Sequence, residues 1–173
     1  MAKTTQTIPT FTLDANYRAV HKERTVESHF GMDSTDALLD GGFGLYSSEG
    51  VKAKIGPLKS QFYRIGFCLR GSLEVDCGLE RFRHEAGTIH FNFPGQIFSL
   101  QNKSDDMFSY YTLFTQEFIE EVLPATKIQL LYPFLDYAGI PFFRLSDKEA
   151  KETEQLFLHI NNEIHNTLPD RSR

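Results

Sequence analysis

The sequence predicts a mainly β domain, a sandwich or barrel, that ends in helices. Three observations carry this expectation. Before about residue 115, short apolar runs are punctuated by Asp40-Gly41-Gly42, Glu49-Gly50, Ile55-Gly56-Pro57, Arg70-Gly71, Cys77-Gly78, Ala86-Gly87 and Pro94-Gly95, as in closely connected strands. The runs are rich in Phe, Tyr, Ile and Val, which suit a pleated, half-buried surface. After residue 115 the apolar residues fall three or four apart, the spacing of a helical stripe.

The clearest strands are Gln61 to Arg70, Leu73 to Cys77, Glu80 to His84, Thr88 to Phe93, Ile97 to Gln101 and Phe108 to Phe114. Thr115 can cap a short helix from Gln116 to Leu123, which Pro124 helps to stop. Ser146-Asp147-Lys148-Glu149 fits a capping box, in which serine and glutamate satisfy each other's exposed backbone donors, and opens a helix from Asp147 to about Asn166. Leu156, Phe157, Ile160 and Ile164 make one stripe along it, wide enough to need a partner. Residues 1–42 are the least legible: Ile8-Pro9-Thr10-Phe11-Thr12-Leu13 is either an extended arm or a frayed terminus. The division expected is an arm (1–42), a barrel (43–115), a helical region of the same domain (116–168) and a short polar tail (169–173).

Composition narrows the function. A net charge of −5 and a pI near 5.7 give no footprint for a polyanion, so this chain alone should bind DNA poorly. No apolar run is long enough for a membrane span, and the start Met-Ala-Lys-Thr-Thr-Gln has no export signal, so the expectation is cytoplasmic, with Cys68 and Cys77 reduced. No nucleophile elbow, phosphate loop or dinucleotide fingerprint is present.

The run Gln61 to Gly71, then Glu85-Ala86-Gly87-Thr88-Ile89-His90-Phe91-Asn92-Phe93-Pro94-Gly95-Gln96-Ile97, then Tyr110 to Phe118, resembles the cupin-type sensor domain of AraC-family transcription regulators, over about residues 43 to 166. The resemblance implies a cupin-like (double-stranded β-helix, jelly-roll) barrel that binds a small effector, and a long helix that pairs two subunits. It also implies a C-terminal pair of helix-turn-helix units that read DNA. No such reader follows residue 146, so the chain is expected to be the sensor part of a longer regulator, with DNA contacted only through the domain this chain lacks. Not an enzyme is the reading adopted. The alternatives are a metal-free cupin enzyme of isomerase or epimerase type and a purely dimerising cupin module.

Many cupins hold a metal through two histidines one residue apart, a glutamate four residues on, and a histidine after the second Pro-Gly turn. Those positions fall on Leu58, Ser60, Arg64 and Phe98, none a metal ligand, so neither metal nor cofactor is expected. Strand alternation should still turn Ser60, Phe62, Arg64, Phe98 and Leu100 inward, with Ser109, Tyr111 and Leu113 on the last strand. These make an apolar, aromatic-lined pocket with a few polar groups, the usual composition of a small-molecule site. For Arg64 two readings stay open: it pairs with an internal carboxylate or leaves by the barrel mouth, or it receives an anionic effector. His90, on the side of its strand opposite Ile89, Phe91 and Phe93, is read as facing solvent, a polar cavity wall being the other option. His159 and His165 are read as solvated helix residues. A homodimer through Leu156, Phe157, Ile160 and Ile164 completes the expectation.

Overall fold

The computed structural model describes residues 7–11, 20, 30–32, 41–122 and 142–167. Ten strands form two five-stranded sheets. The first has the order β1 (Thr10–Phe11), β3 (Ile55–Ser60), β8 (Ile97–Gln101), β5 (Ser72–Cys77), β6 (Glu80–Glu85). The second has β10 (Phe142–Arg144), β7 (Thr88–Asn92), β4 (Tyr63–Arg70), β9 (Phe108–Phe114), β2 (Phe43–Ser47). Sequence neighbours β4 and β5, and β8 and β9, lie in opposite sheets, which wraps the chain into the cupin-like jelly roll. Between the sheets lies one apolar cluster that includes Leu58, Phe62, Val75, Phe98, Leu100, Tyr111 and Leu113.

The six expected runs are strands, two of them with identical ends. Four more, β1, β2, β3 and β10, were not among those runs. In β3 the Gly56-Pro57 pair, expected as a turn, sits inside the strand where its register with β8 shifts between Ile55 and Leu58. A bulge tolerates what a regular ladder would not. Gly56 has φ +84°, and a Cβ there would stand 2.6 Å from the Phe98 carbonyl oxygen. β10 lies between the two helices of the region 116–168: Phe142, Phe143 and Arg144 pair antiparallel with His90, Ile89 and Thr88. Of the N-terminal stretch, β1 runs parallel to β3, and the Lys59 amide donates to the Pro9 carbonyl at 3.0 Å. Leu13, Leu123, Pro124 and the tail 169–173 lie outside the described residues.

Helix α1 (Gln116–Val122) is capped as expected, the Phe118 amide donating to Thr115 Oγ1 at 3.2 Å. Helix α2 (Asp147–Thr167) opens on the full capping box: the Ser146 amide and hydroxyl donate to Glu149 Oε2 at 2.8 and 2.7 Å, and the Glu149 amide reaches back to Ser146 Oγ. Both helices cover the outer face of the second sheet. Tyr63 donates to Gln116 Oε1 at 2.7 Å, and Phe118 and Ile119 pack with Phe91, Phe93 and Phe114.

The stripe on α2 is divided by this packing. Phe157, 5% exposed, lies against Phe67 and Tyr110 with ring centroids 6.1 and 5.8 Å away, and Ile160 and Ile164 pack partly buried into the same cluster. Phe157, expected on a face shared with a second copy, is buried in the core of its own chain, with Ile160 and Ile164 flanking it. The outer sheet face presents a broad apolar surface that takes up this side of the helix. Leu156, by contrast, is 63% exposed. Phe157→Ala should cost about 3–5 kcal/mol in chemical denaturation, the usual loss on emptying a buried aromatic site. Leu156→Ala, measured at concentrations where the chain is monomeric, should stay within about 0.5 kcal/mol, as surface changes do; comparable losses there would place the helix the other way round.

Candidate functional site

All eight residues expected to line the barrel are buried: Ser60, Phe62, Arg64, Phe98, Leu100, Ser109, Tyr111 and Leu113. They divide between an apolar cluster and more polar surroundings. Phe62, Phe98, Leu100, Tyr111 and Leu113 belong to the packed apolar cluster. The Ser60 hydroxyl donates to the Phe62 carbonyl at 3.1 Å, and the Ser109 amide donates to Ser48 Oγ at 2.9 Å. At the cupin metal positions, Leu58 pairs directly with Phe98 across β3 and β8, an apolar contact where a ligand set would stand. Among the described residues no group of three or more His, Cys, Asp or Glu is arranged to hold a metal.

Arg64 stands apart from this apolar half. It is 6% exposed, and its guanidinium carbon lies 4.2 Å from the centre of the Tyr111 ring, a cation–π contact. Among the described residues no carboxylate pairs with it, and its Nε has no hydrogen-bond partner. Burial pushes its pKa down, partly opposed by Tyr111. The guanidinium is therefore buried and, among the described residues, has no ion-pair partner.

The groups around Arg64 include three that the sequence reading did not assign to the site. Asn92 is its direct partner across β4 and β7, and His90, one step along β7, pairs with Gly66. His84 on β6 meets His90 edge to face, with centroids 4.4 Å apart. His84, His90 and Asn92 are 1%, 3% and 1% exposed, which corrects the expectation of a solvent-facing His90. Gly66 makes this possible: a Cβ there would fall 2.3 Å from His90 Cε1. Phe142 of β10 closes the group, stacked on His90 at 5.3 Å and on Phe82 at 4.4 Å. His84 Nε2, both ring nitrogens of His90, and Asn92 Oδ1 are buried without partners among the described residues. That is a concentration of unsatisfied polar atoms unusual for a protein interior.

Elsewhere, a surface depression of about 650 Å³ beside the β5–β6 turn is lined by Pro57, Asp76, Leu79, Arg81, Ile97 and Phe98 among others. It shares only Phe98 with the expected lining. Asp76 there is tied up by Arg81, Ser99 and Gln101. Cys68 and Cys77 are buried free thiols, pushed up by burial to about 12 and about 11, and so are protonated at neutral pH.

Burial, with Arg64 nearby, pulls His84 from its ordinary 6.5 to about 3; burial, then His84 and Arg64, pulls His90 well below its ordinary value. Both are held neutral in the fold. Their contribution to stability is therefore complete above about pH 6.5 and is lost as pH falls toward 3. Unfolding free energy should decline below pH 6.5 by up to about 1.4 kcal/mol per pH unit for each histidine. His84→Phe should flatten the slope in denaturant titrations at pH 7, 6 and 5; an unchanged slope would mean that His84 titrates normally.

The family model described as AraC-like ligand binding domain matches residues 53–168. Similar solved structures include a cupin 2 conserved barrel domain protein from Salinispora arenicola, 16% identical over 46% of this chain and 69% of that one, with a TM-score of 0.39. ToxT from Vibrio cholerae appears twice. In one structure it is an apo variant, 15% identical over 68% of this chain and 47% of its own, TM-score 0.44. In the other it is bound to (E)-4-(8-methylnaphthalen-1-yl)but-3-enoic acid, 12% identical over 69% and 48%, TM-score 0.44. This chain thus matches about half the length of ToxT. No curated protein sequence matches it. With the model covering well over half of its length, the chain belongs to the AraC-like ligand-binding domain family.

Proposed function

We propose that this chain is the effector-binding part of an AraC-type transcription regulator, acting in the cytoplasm without catalysis: a small anionic molecule enters the barrel and pairs with Arg64. The observation that carries this is the buried guanidinium with no carboxylate among the described residues to neutralise it. An ion buried without a counter-charge costs stability, and a bound oxyanion offsets that cost through parallel charge-assisted hydrogen bonds. Tyr111 and Phe142 supply aromatic walls. DNA is read by a domain outside this chain, in keeping with the net charge of −5.

The signal passes to that domain through a pair of copies joined along the outward side of α2, which carries Leu156. A large apolar side chain in water on a 21-residue helix supports this. A twofold contact brings each residue near its own copy, so one added charge acts twice.

Arg64→Met should raise the stability of the ligand-free protein by about 1–3 kcal/mol, because an uncompensated polar group leaves the interior. It should weaken binding of benzoate or phosphate, measured calorimetrically, by about 1.5–3 kcal/mol. Lower stability with unchanged anion affinity would refute the anion site. Leu156→Glu should give a monomer with an unaltered circular dichroism spectrum in sedimentation at micromolar concentration; a persisting dimer would exclude pairing through this side of the helix.

A further inference from the structure

The atoms left unpartnered around Arg64 differ in kind, and hydrogen-bond counting fixes which donate and which accept. Thr88 is the key. Its hydroxyl has one proton, and Oγ1 lies 2.7 Å from the Glu85 carbonyl oxygen, to which it donates. The same oxygen accepts from the Glu85 amide at 3.0 Å and stands 2.9 Å from His84 Nδ1. With the hydroxyl proton committed, the contact with His84 is Nδ1–H donating to Thr88. The ring is neutral, so Nε2 is a bare lone pair, buried and unpartnered among the described residues.

Asn92 is fixed in the same way. Its Nδ2 donates to Cys77 Sγ at 3.3 Å and Gln96 Oε1 at 3.4 Å, which leaves Oδ1 as an unpartnered acceptor. Arg64 Nε is an unpartnered donor on a cation. The cluster therefore offers positive charge at one point and two bare acceptors beside it. A plain carboxylate would satisfy Arg64 and leave both acceptors stranded, at a cost typical of buried polar groups without partners.

Building on the effector-site reading above, we propose that the ligand is an oxyanion that also carries at least one hydroxyl or N–H donor, a hydroxycarboxylate being the simplest case. Arg64 holds the anion, while His84 Nε2 and Asn92 Oδ1 read the donor. Thr88 is a positioning residue, since it sets the tautomer that makes His84 an acceptor. A site built to accept from a ligand hydroxyl discriminates strongly against the analogue that lacks it.

The test is calorimetric titration of the whole chain with matched acids: lactate and propionate, mandelate and phenylacetate, salicylate and benzoate. In at least one pair the hydroxy acid should bind about tenfold tighter or more, about 1.4 kcal/mol. His84→Phe should bring that preference below about threefold, the contact with the ligand's donor having been lost. Should that variant fail to fold, long-range ¹⁵N–¹H spectra of the wild-type imidazoles decide the matter. They should show His84 protonated at Nδ1, with an Nε2 resonance that moves on adding the hydroxy acid and not its plain partner. Equal affinities within every pair, or a protonated Nε2, overturns this inference and leaves the anion site standing. Failure of every acid to bind overturns both.

Discussion

Most of both faces of the sheet β10–β7–β4–β9–β2 is packed away from water, Phe143 on the edge strand staying 40% exposed, and much of the molecule is arranged around that constraint. Its outer face, with Tyr63, Phe67, Phe91, Tyr110 and Phe114, is sealed by α1 and α2 and by Phe30, whose ring stacks on Tyr110 at 3.8 Å. The Gly31 amide, donating to Asn161 Oδ1 at 2.7 Å, ties that segment to the helix. Burial of the outer face is what fixes α2, because Phe157 has its partners there. The inner face can then carry what a half-exposed sheet would keep in water: Arg64, His90 and Asn92 point at the opposite sheet, where they meet His84.

On the proposed function, this arrangement trades stability for a binding surface. The apolar half of the interior, around Leu58, Phe62 and Phe98, packs as an ordinary core. The other half collects a guanidinium, two neutral imidazoles and an amide whose hydrogen-bonding capacity the described residues do not fill. Such groups persist in a protein where something else rewards them. Phe142 and Tyr111 cover the cluster with rings, which keeps the dielectric low and makes each contact to a ligand stronger than it would be in water.

Much of the fold was legible in the sequence because turns and caps are local. Glycine at strand reversals and the Ser146–Glu149 box act over a few residues, and both stand as expected apart from Gly56-Pro57, which lies inside β3. What misled was alternation. On β7 the apolar set Ile89, Phe91 and Phe93 looked like the inside, and His90 like the outside. Alternation separates two faces but cannot say which is the barrel interior when helices cover the other. A signal was available: Arg64 was assigned inward, and pairing β4 with β7 puts Asn92 opposite it and His90 on the same face. Gly66 was a second, as the small residue whose missing side chain His90 occupies. His84 and Phe142 could not be placed from sequence, since their nearness to His90 depends on contacts between sheets and on a strand that returns after residue 141.

The central claim is that the barrel holds an anion receptor centred on Arg64. A crystal grown with bromide in place of chloride, with diffraction recorded at the bromine absorption edge, tests it most directly, because anomalous scattering marks the anion without assuming what the natural effector is. The account predicts an anomalous peak within hydrogen-bonding distance of the Arg64 guanidinium, on the side of His84 and Asn92. A barrel interior free of bromide, with Arg64 paired to a carboxylate of its own chain, would contradict it.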